Sequence, residues 1–251
     1  MTLVDAMLAA TARAEDHHFW FRALRRNARR WLQAALPGPA PRHILDCGAG
    51  TGRNLDWLNE FGWAVGVERS HTGLAVARAH GRRLVQGTVT RLPFSDAIID
   101  VATSFDVLYC LDDASERAAI GEMWRVLKPG GHLLVNVAAL DVLHGSHSTL
   151  THEVRRYTPA RLAARLEDAR FQIERMSFTN MVTFPLALAV RWTDRLRGRA
   201  GQASDADLRV PVWPVNASLS AALAAEGVLL RATNLPIGSS LLCLARKPNR
   251  S

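Results

Sequence analysis

The residues whose types and spacing suggest chemistry begin in a glycine-rich segment, ILDCGAGTGRN, at positions 44–54. An apolar run leads directly into glycines at three alternate positions: Gly48, Gly50 and Gly52. Backbone amides in such a turn can approach a ligand closely, and the helix N-terminus that follows favours an anionic group. The segment therefore predicts a site for a small ligand that carries a carboxylate or a phosphate.

Two residues argue against a pyrophosphate in this site. A dinucleotide-binding motif would need a glycine where Arg53 stands, and no Gly-Lys-Ser/Thr sequence follows to make a P-loop. Asp46 places a carboxylate directly before the glycines. That carboxylate would repel a pyrophosphate, but it would suit a ligand with a positive charge.

Glu68 adds a second acid at the end of the apolar segment WAVGVE, sixteen residues after Gly52. A carboxylate at the end of a second strand can accept hydrogen bonds from both ribose hydroxyls. The alternative is a structural acid that caps the helix following it. Together with the glycines and Asp46, Glu68 predicts a nucleoside ligand with an amino-acid-like end.

The elements that position these residues follow from the hydrophobic pattern. Short apolar runs alternate with helical segments, which is typical of a parallel sheet covered by helices on both faces. The predicted strands occupy residues 43–47, 63–68, 83–86, 98–104, 132–137, 171–178 and 239–245. We therefore predict an α/β fold with a doubly wound, mostly parallel, seven-stranded sheet.

The remaining segments are predicted to surround this core. Residues 1–40 form an N-terminal cap of two amphipathic helices. The core comprises residues 41–180 and 236–248, and residues 181–235 form a helical insertion before the last strand, as part of a substrate lid.

Local sequence features predict several helix boundaries. Asp112 opens a helix that runs to Leu127, and KPGG at 128–131 ends it before the next strand. Thr158 is a predicted N-cap, with Pro159 in the first turn. Two further helices are predicted in the insertion, at residues 182–198 and 216–231.

The composition is that of an ordinary globular protein. The chain has 251 residues, of which 48% are hydrophobic and 22% are charged, so fibrous, coiled-coil and disordered chains are excluded. Its net charge of +8 is spread along most of the chain and does not by itself predict nucleic-acid binding. Three cysteines without metal-binding spacing, a poor signal peptide and no bilayer-length apolar run predict a cytoplasmic protein without a transmembrane segment.

Five segments, in this order along the chain, resemble the class I S-adenosylmethionine-dependent methyltransferases. They are ILDCGAGTG at 44–52, VGVE at 65–68, QGTVTRLPF at 86–94, IIDVATSFDVLYCL at 98–111 and EMWRVLKPGGHLLV at 122–135. The resemblance implies a Rossmann-like core, S-adenosyl-L-methionine as the cofactor and S-adenosyl-L-homocysteine as the product.

The resemblance also implies roles for individual residues. The three glycines would lie under the methionyl group, with Asp46 near its ammonium and Glu68 on the ribose. Four more residues complete the implied cofactor site: Thr88 and Val89 beside the adenine, and Phe105 and Asp106 beside the methionyl end. Thr88 departs from the family, in which an aspartate commonly reads the adenine amino group, although a hydroxyl can still accept that hydrogen bond.

Two outer segments resemble a narrower group of small-molecule methyltransferases, the type 11-like enzymes. They are HFWFR at 18–22 and a His-rich stretch that ends in RRYT at 155–158. The acceptor-binding residues predicted from them are Phe19, Trp20, Arg22, Arg156 and Tyr157. The alternatives are a packing stripe on the cap helix and, for Arg155 and Arg156, solvated charges before a helix. Four further arginines are predicted to form a solvated helix face: Arg25, Arg26, Arg29 and Arg30.

His147 and His152 are the predicted general bases. An imidazole titrates near neutral pH, and oxygen and carbon acceptors usually have to lose a proton. The alternative is that each histidine hydrogen-bonds its own loop or the next helix. With His144, these histidines could also suggest zinc, but no carboxylate or cysteine other than Glu153 would complete a familiar ligand set, so no metal is predicted. Cys110 is interpreted as a core cysteine.

These observations predict a methyltransferase that acts on an oxygen or carbon of a small molecule: a secondary metabolite, a modified sugar or a quinone-like compound. SFDVL at 104–108 lacks the Asn/Asp-Pro-Pro-aromatic motif of amino methylation of bases, so no nucleic-acid partner is predicted. The apolar segment 181–190 favours a partly hydrophobic acceptor or a homodimer contact. The alternatives are a non-catalytic S-adenosylmethionine-binding module and an RNA methyltransferase with an arginine-rich binding surface.

Overall fold

The computed structural model describes residues 3–38, 40–143, 153–196 and 209–249. Seven strands form one sheet in the order β3-β2-β1-β4-β5-β7-β6. Their bounds are β1 His43–Cys47, β2 Trp63–Glu68, β3 Leu84–Gln86, β4 Ile99–Phe105, β5 Leu127–Ala138, β6 Gln172–Thr179 and β7 Ser240–Arg246. The pairs among β1 to β5 are parallel, and β7 runs antiparallel to both of its neighbours. The predicted doubly wound, mostly parallel seven-stranded sheet is confirmed.

Eight α-helices lie in the described residues. Their bounds are α1 Leu3–Ala14, α2 Phe19–Ala35, α3 Leu55–Leu58, α4 His71–Ala79, α5 Asp113–Val126, α6 Pro159–Asp168, α7 Phe184–Leu196 and α8 Trp213–Ala232. The predicted caps are present: Asp112 Oδ1 accepts a hydrogen bond from the backbone N–H of Ser115 at 2.7 Å, and Thr158 Oγ1 accepts one from that of Arg161 at 3.2 Å.

Two boundaries differ from the prediction by three residues or more. The KPGG segment belongs to β5, which begins at Leu127 because this residue already pairs with Ile99 of β4. Gly130, with a φ of +79°, takes up the bend inside the strand. The helix predicted from residue 216 begins at Trp213, because Pro214 occupies its first turn.

Helices cover both faces of the sheet. On one face, Leu45 and Cys47 of β1 belong to a core that α5 and α6 complete. On the other face, Ile44 packs with residues of α2 and α3. Between β1 and β4 the strand order reverses, and a crevice at the carboxyl ends of such strands is where this class of sheet binds ligands.

Within the part of the chain that the structure covers, no helix has the length and apolar character needed to cross a bilayer.

Candidate cofactor and acceptor site

A cavity of about 960 Å³ opens at the carboxyl ends of β1, β2 and β4. One end is formed by the loop after β1 and by polar residues that follow β2, β3 and β4. The other end is formed largely by aromatic and aliphatic side chains of α2, α7 and α8. The cavity therefore has room for two molecules side by side, one in a polar compartment and one in a mostly apolar compartment.

The glycine loop, residues 48–52, brings its backbone to the polar compartment. Gly48 and Gly50 line the cavity with φ of +79° and +56°, a region that glycine adopts without strain. Gly52 does not line the cavity: a Cβ there would lie 2.7 Å from Leu84 Cδ1. The predicted ligand contact of Gly52 is corrected, because close packing against β3 explains that glycine.

Glu68 faces the cavity from the end of β2. Its Oε2 accepts a hydrogen bond from the Gly50 amide at 2.9 Å, and its Oε1 accepts one from the Ser70 amide at 2.7 Å. These two bonds hold the carboxylate against the glycine loop and leave lone pairs for ligand hydroxyls. Thr88 and Val89 also line this compartment, as does Phe105 at the end of β4.

Asp46 is buried beneath the glycine loop and does not line the cavity. Its Oδ1 accepts a hydrogen bond from Thr103 Oγ1 at 2.7 Å, whereas Oδ2 has no partner in the described residues. Burial raises the pKa of Asp46 to about 6, despite the hydrogen bond from Thr103. Any attraction between Asp46 and a ligand ammonium therefore acts from below the loop.

Two other buried oxygens, Ser104 Oγ and Asn136 Oδ1, also lack hydrogen-bond partners within the described residues. Both lie toward the same sheet edge, on β4 and β5. Unsatisfied acceptors beside an amide-rich loop suit a ligand that carries both an ammonium and a carboxylate. Neither side chain lines the cavity, so the fit to the amino-acid end of S-adenosylmethionine rests on the Gly48 and Gly50 backbone, with these oxygens behind it.

Asp106 follows β4 with a φ of +61° and lines the cavity. Asn136 Nδ2 donates a hydrogen bond to Asp106 Oδ1 at 3.0 Å. Burial raises the pKa of Asp106 to about 7; the nearby Glu153 carboxylate also raises it, while Asn136 and Arg156 lower it. Asp106 therefore changes its charge near neutral pH, which the sequence alone did not indicate.

Helix α1 forms a roof over the glycine loop, and the sequence analysis missed this role. Leu8 of α1 lies 3.3 Å from where a Cβ on Gly50 would be. Thr51 Oγ1 donates to both carboxylate oxygens of Glu15, at 2.7 and 2.9 Å, and Thr72 Oγ1 donates to Asp5 Oδ1 at 2.9 Å. The signal that could have indicated these contacts is the presence of the acidic residues Asp5 and Glu15 in an otherwise apolar N-terminal segment.

Helix α2 supplies part of the acceptor compartment. Phe19 and Trp20 line the cavity, and the Phe19 amide donates to Asn216 Oδ1 of α8 at 3.0 Å. The predicted acceptor contact of Arg22 is wrong, because Arg22 is exposed on the outer side of the helix. Arg25, predicted to be solvated, lies one turn later and lines the cavity instead.

The side chains of the RRYT segment lie partly in the cavity wall and partly in the core. Arg156 lines the cavity and forms a two-point ion pair with Glu153, with both N–O distances at 3.0 Å. The predicted acceptor contact of Tyr157 is wrong: its side chain is fully buried, and its hydroxyl donates to the Glu116 carboxylate. Arg155 is nearly buried and pairs with the same carboxylate, so it is not a solvated charge.

The predicted bases His147 and His152 lie outside the described residues, as does His144. Cys110, interpreted as a core residue, lines the cavity, and burial raises the pKa of its thiol to about 12. The thiol therefore stays protonated at neutral pH and is a poor nucleophile.

The buried Asp46 carboxylate predicts an unusual pH dependence of stability. Because burial raises its pKa from 3.8 to about 6, the stability associated with its protonated form is complete below pH 3.8 and is lost as the pH rises through 6. Asp46→Asn cannot ionise, so relative to the wild type it should gain roughly 3 kcal/mol of unfolding free energy between about pH 4 and pH 7. Urea unfolding of both proteins without cofactor measures this difference. The titration of Asp106 contributes equally to both proteins and therefore does not affect the difference between them. Parallel pH profiles would contradict the expectation.

Comparison with known proteins agrees with this geometry. A family model described as a methyltransferase domain matches residues 45–135. Demethylmenaquinone methyltransferase of Mycobacterium tuberculosis is 38% identical over 119 residues, which cover 47% of this chain and 46% of that protein. Malonyl-[acyl-carrier protein] O-methyltransferase of Pectobacterium atrosepticum is 30% identical over 156 residues, which cover 61% and 59%. The chain thus spans about half the length of the curated relatives it matches.

A solved structure shows the same fold along nearly the whole chain. Burkholderia thailandensis 1,6-didemethyltoxoflavin-N1-methyltransferase, solved with 1,6-didemethyltoxoflavin and S-adenosylhomocysteine, is 18% identical and covers 98% of this chain and 88% of its own, with a TM-score of 0.58. The five sequence segments lie within residues 44–135, almost the same range as the family match, and this range holds most of the parallel part of the sheet. Residues 45–135 therefore form a methyltransferase domain of the class I, S-adenosylmethionine-dependent family.

Proposed function

We propose that this protein is an S-adenosylmethionine-dependent methyltransferase that methylates an oxygen or carbon of a small, partly hydrophobic molecule. The observation that carries the proposal is the single cavity with two compartments. Its polar end holds the glycine loop and Glu68, and its apolar end is lined by α2, α7 and α8. A methyl donor and an acceptor placed in these compartments would meet near Asp106.

The polar compartment supports binding of S-adenosyl-L-methionine, which supplies an electrophilic methyl group. The Gly48 and Gly50 backbone would hold the methionyl end, with the Asp46 charge below it. Glu68, already fixed by two backbone amides, would accept the ribose hydroxyls. Thr88 and Val89 would flank the adenine. The Burkholderia structure holds S-adenosylhomocysteine in the same fold, which supports this assignment.

The apolar compartment supports a hydrophobic acceptor. Phe19, Trp20, Leu186 and Val190 line it, together with the Arg156–Glu153 ion pair. Among a secondary metabolite, a modified sugar and a quinone-like compound, this lining favours the quinone-like class. The similarity to a demethylmenaquinone methyltransferase points the same way.

The acceptor compartment also needs a group that removes a proton when an oxygen or carbon is methylated. His147 and His152 remain the proposed bases, since they follow β5, whose carboxyl end adjoins the cavity. Replacement of either histidine by alanine should lower turnover and leave cofactor affinity unchanged. A protein that binds cofactor but methylates none of a panel of quinols, phenols and sugars would instead be a non-catalytic binding module.

The cofactor assignment is tested by calorimetric titration with S-adenosyl-L-homocysteine. Glu68→Gln keeps the size of the side chain but replaces one acceptor oxygen by a donor, so a backbone amide and a ribose hydroxyl compete for the remaining oxygen. Loss of one charge-assisted hydrogen bond should weaken binding about ten- to thirtyfold. Glu60→Gln, an exposed surface glutamate paired with Arg29, is the matched control and should bind like the wild type. A folded wild type that does not bind the ligand would overturn the proposal.

A further inference from the structure

Two acidic residues flank the first glycine of the glycine loop. β1 lies between β2 and β4 in the sheet. The register of these strands places Gly48 opposite Glu68 on one side, and on the other side it places Asp106 one position beyond the level of Gly48. All three residues line the cavity. A ligand that lies across Gly48 and reaches Glu68 therefore also lies close to Asp106.

The position of Asp106 is fixed by its neighbours. A Cβ on Gly48 would lie 2.5 Å from Val107 Cγ2, so the residue after Asp106 packs directly on that glycine. The Asp106 amide donates a hydrogen bond to the Asn136 carbonyl oxygen at 3.0 Å, and Asn136 Nδ2 donates one to Asp106 Oδ1 at the same distance. Among the five described non-glycine residues with a positive φ, Asp106 is the one that lines the cavity. Backbone conformations of this kind are concentrated at functional sites.

One oxygen of the Asp106 carboxylate is available to a ligand. Asn136 occupies Oδ1, while no described residue donates a hydrogen bond to Oδ2. The charged groups that act on this carboxylate are Glu153 and Arg156. Glu153 opposes the ionisation of Asp106 and Arg156 favours it, and these two side chains pair with each other. Their effects on Asp106 therefore act in opposite directions.

The remaining titratable groups beside Asp106 do not supply a positive charge. Tyr109 and Cys110 both line the cavity, and burial is the main cause that raises the pKa of each side chain. Both groups are therefore neutral near neutral pH. A cationic ligand would give the ionised Asp106 carboxylate a charge partner that these neighbours do not provide.

The two ligands of the proposed function differ by one such charge. S-adenosyl-L-methionine has a positive sulfonium between its methionyl chain and its ribose, whereas the same sulfur in S-adenosyl-L-homocysteine is a neutral thioether. With the methionyl end on Gly48 and the ribose on Glu68, the sulfur that joins these parts would lie near Asp106. We infer that the Asp106 carboxylate pairs with the sulfonium charge and thereby favours the methyl donor over the product. This inference rests on the proposed function, and it assigns to Asp106 the discrimination between the two cofactor forms.

The discrimination should depend on pH, because only the ionised carboxylate attracts a cation. The pKa of Asp106 is raised to about 7, so roughly one molecule in ten carries this charge at pH 6 and roughly nine in ten carry it at pH 8. The affinity for S-adenosyl-L-methionine divided by that for S-adenosyl-L-homocysteine should therefore rise about tenfold from pH 6 to pH 8.

Calorimetric titration of the full chain with each ligand, at pH 6 and at pH 8, tests the inference. Asp106→Asn removes the charge, keeps an oxygen for the hydrogen bond from Asn136, and places at this positive φ a residue type that tolerates it. At pH 8 the substitution should lower the affinity ratio about tenfold or more, mainly through weaker binding of S-adenosyl-L-methionine. The ligands' own ionisable groups titrate with either protein, so the comparison with the wild type isolates Asp106. Asp168→Asn changes an exposed aspartate of α6 outside the cavity and should match the wild type.

Two results would overturn this inference alone: a wild type that binds both ligands with an affinity ratio independent of pH, or an Asp106→Asn protein that keeps the pH dependence of the wild type. The second result would move the charge partner to another carboxylate of the cavity, such as Glu153. A folded wild type that binds neither ligand would overturn the proposed function, and this inference with it.

Discussion

Replacement of Glu116 by alanine is expected to lower the free energy of unfolding by about 4 kcal/mol, as for other buried ion pairs that lose one partner. The Glu116 side chain is completely buried on α5. Its Oε2 lies 3.4 Å from Arg155 Nη1 and 3.2 Å from Arg165 Nε, and its Oε1 accepts the Tyr157 hydroxyl. Alanine would leave two guanidinium groups and a buried hydroxyl without this partner.

Glu122→Ala is the matched control for this experiment. It is the same substitution in the same helix, and Glu122 also pairs with an arginine, Arg125, at 2.7 Å. Because that pair is partly exposed to water, its loss should cost roughly 1 kcal/mol. Urea unfolding of the two variants at neutral pH gives the comparison. If the two substitutions cost the same, the Glu116 cluster does not hold α5, α6 and the RRYT segment together in the way the geometry indicates.

The same cluster shows why the sequence mispredicts Tyr157. Arginines and a tyrosine in a polar stretch are suited to binding an acceptor, and equally suited to an internal network. The choice depends on the Glu116 carboxylate, which lies 41 positions away from Tyr157 in the chain. Arg156 and Tyr157 are adjacent in sequence, yet one faces the cavity and the other faces the core. A local pattern does not contain that information.

The sheet was predictable because its strands are continuous apolar runs between polar or glycine-rich ends. β1 and β2 begin and end at the predicted residues. The start of β5 was mispredicted because it depends on the pairing of Leu127 with Ile99, which is a contact between strands. The KPGG sequence by itself is typical of a turn. Seven of the nine residues that the family resemblance implied for the cofactor line the cavity, because they lie at or soon after strand ends, whereas Asp46 and Gly52 do not line it. Their contacts with a cofactor stay a prediction.

The cover over that compartment was not predictable in the same way. Asp5 of α1 accepts a hydrogen bond from Thr72, and Glu15, directly after α1, accepts one from Thr51, each across more than thirty residues of chain. Amphipathic periodicity indicates that one face of α1 packs against another part of the protein, but it does not indicate which part. Arg22 and Arg25 show the same limit within one helix. Which of them faces the cavity and which faces solvent depends on how α2 is rotated against the sheet, and the sequence does not give that rotation.

Substitution of Gly73 by alanine is expected to weaken binding of S-adenosyl-L-homocysteine about a hundredfold, the equivalent of roughly 3 kcal/mol. Gly73 stands in the first turn of α4, and a Cβ there would lie 2.5 Å from the carbonyl oxygen of Gly50 and 3.0 Å from Glu68 Cγ. The backbone oxygen cannot move aside alone. The methyl group must therefore displace the glycine loop or α4, and with it the Glu68 carboxylate.

Gly121→Ala is the control for this steric argument. Gly121 also lies in a helix, α5, but a Cβ there meets nothing within 4 Å. Alanine at this position should raise the unfolding free energy by about 0.5–1 kcal/mol, because it restricts the unfolded chain, and should leave ligand affinity unchanged. At Gly73 that helical gain should be exceeded by an overpacking cost of about 1–3 kcal/mol, so the two substitutions should shift stability in opposite directions. Calorimetric titration and urea unfolding of both variants decide the matter. A Gly73→Ala protein that binds as tightly as the wild type would show that the loop tolerates displacement, and that contact with α4 does not set the shape of the cofactor compartment.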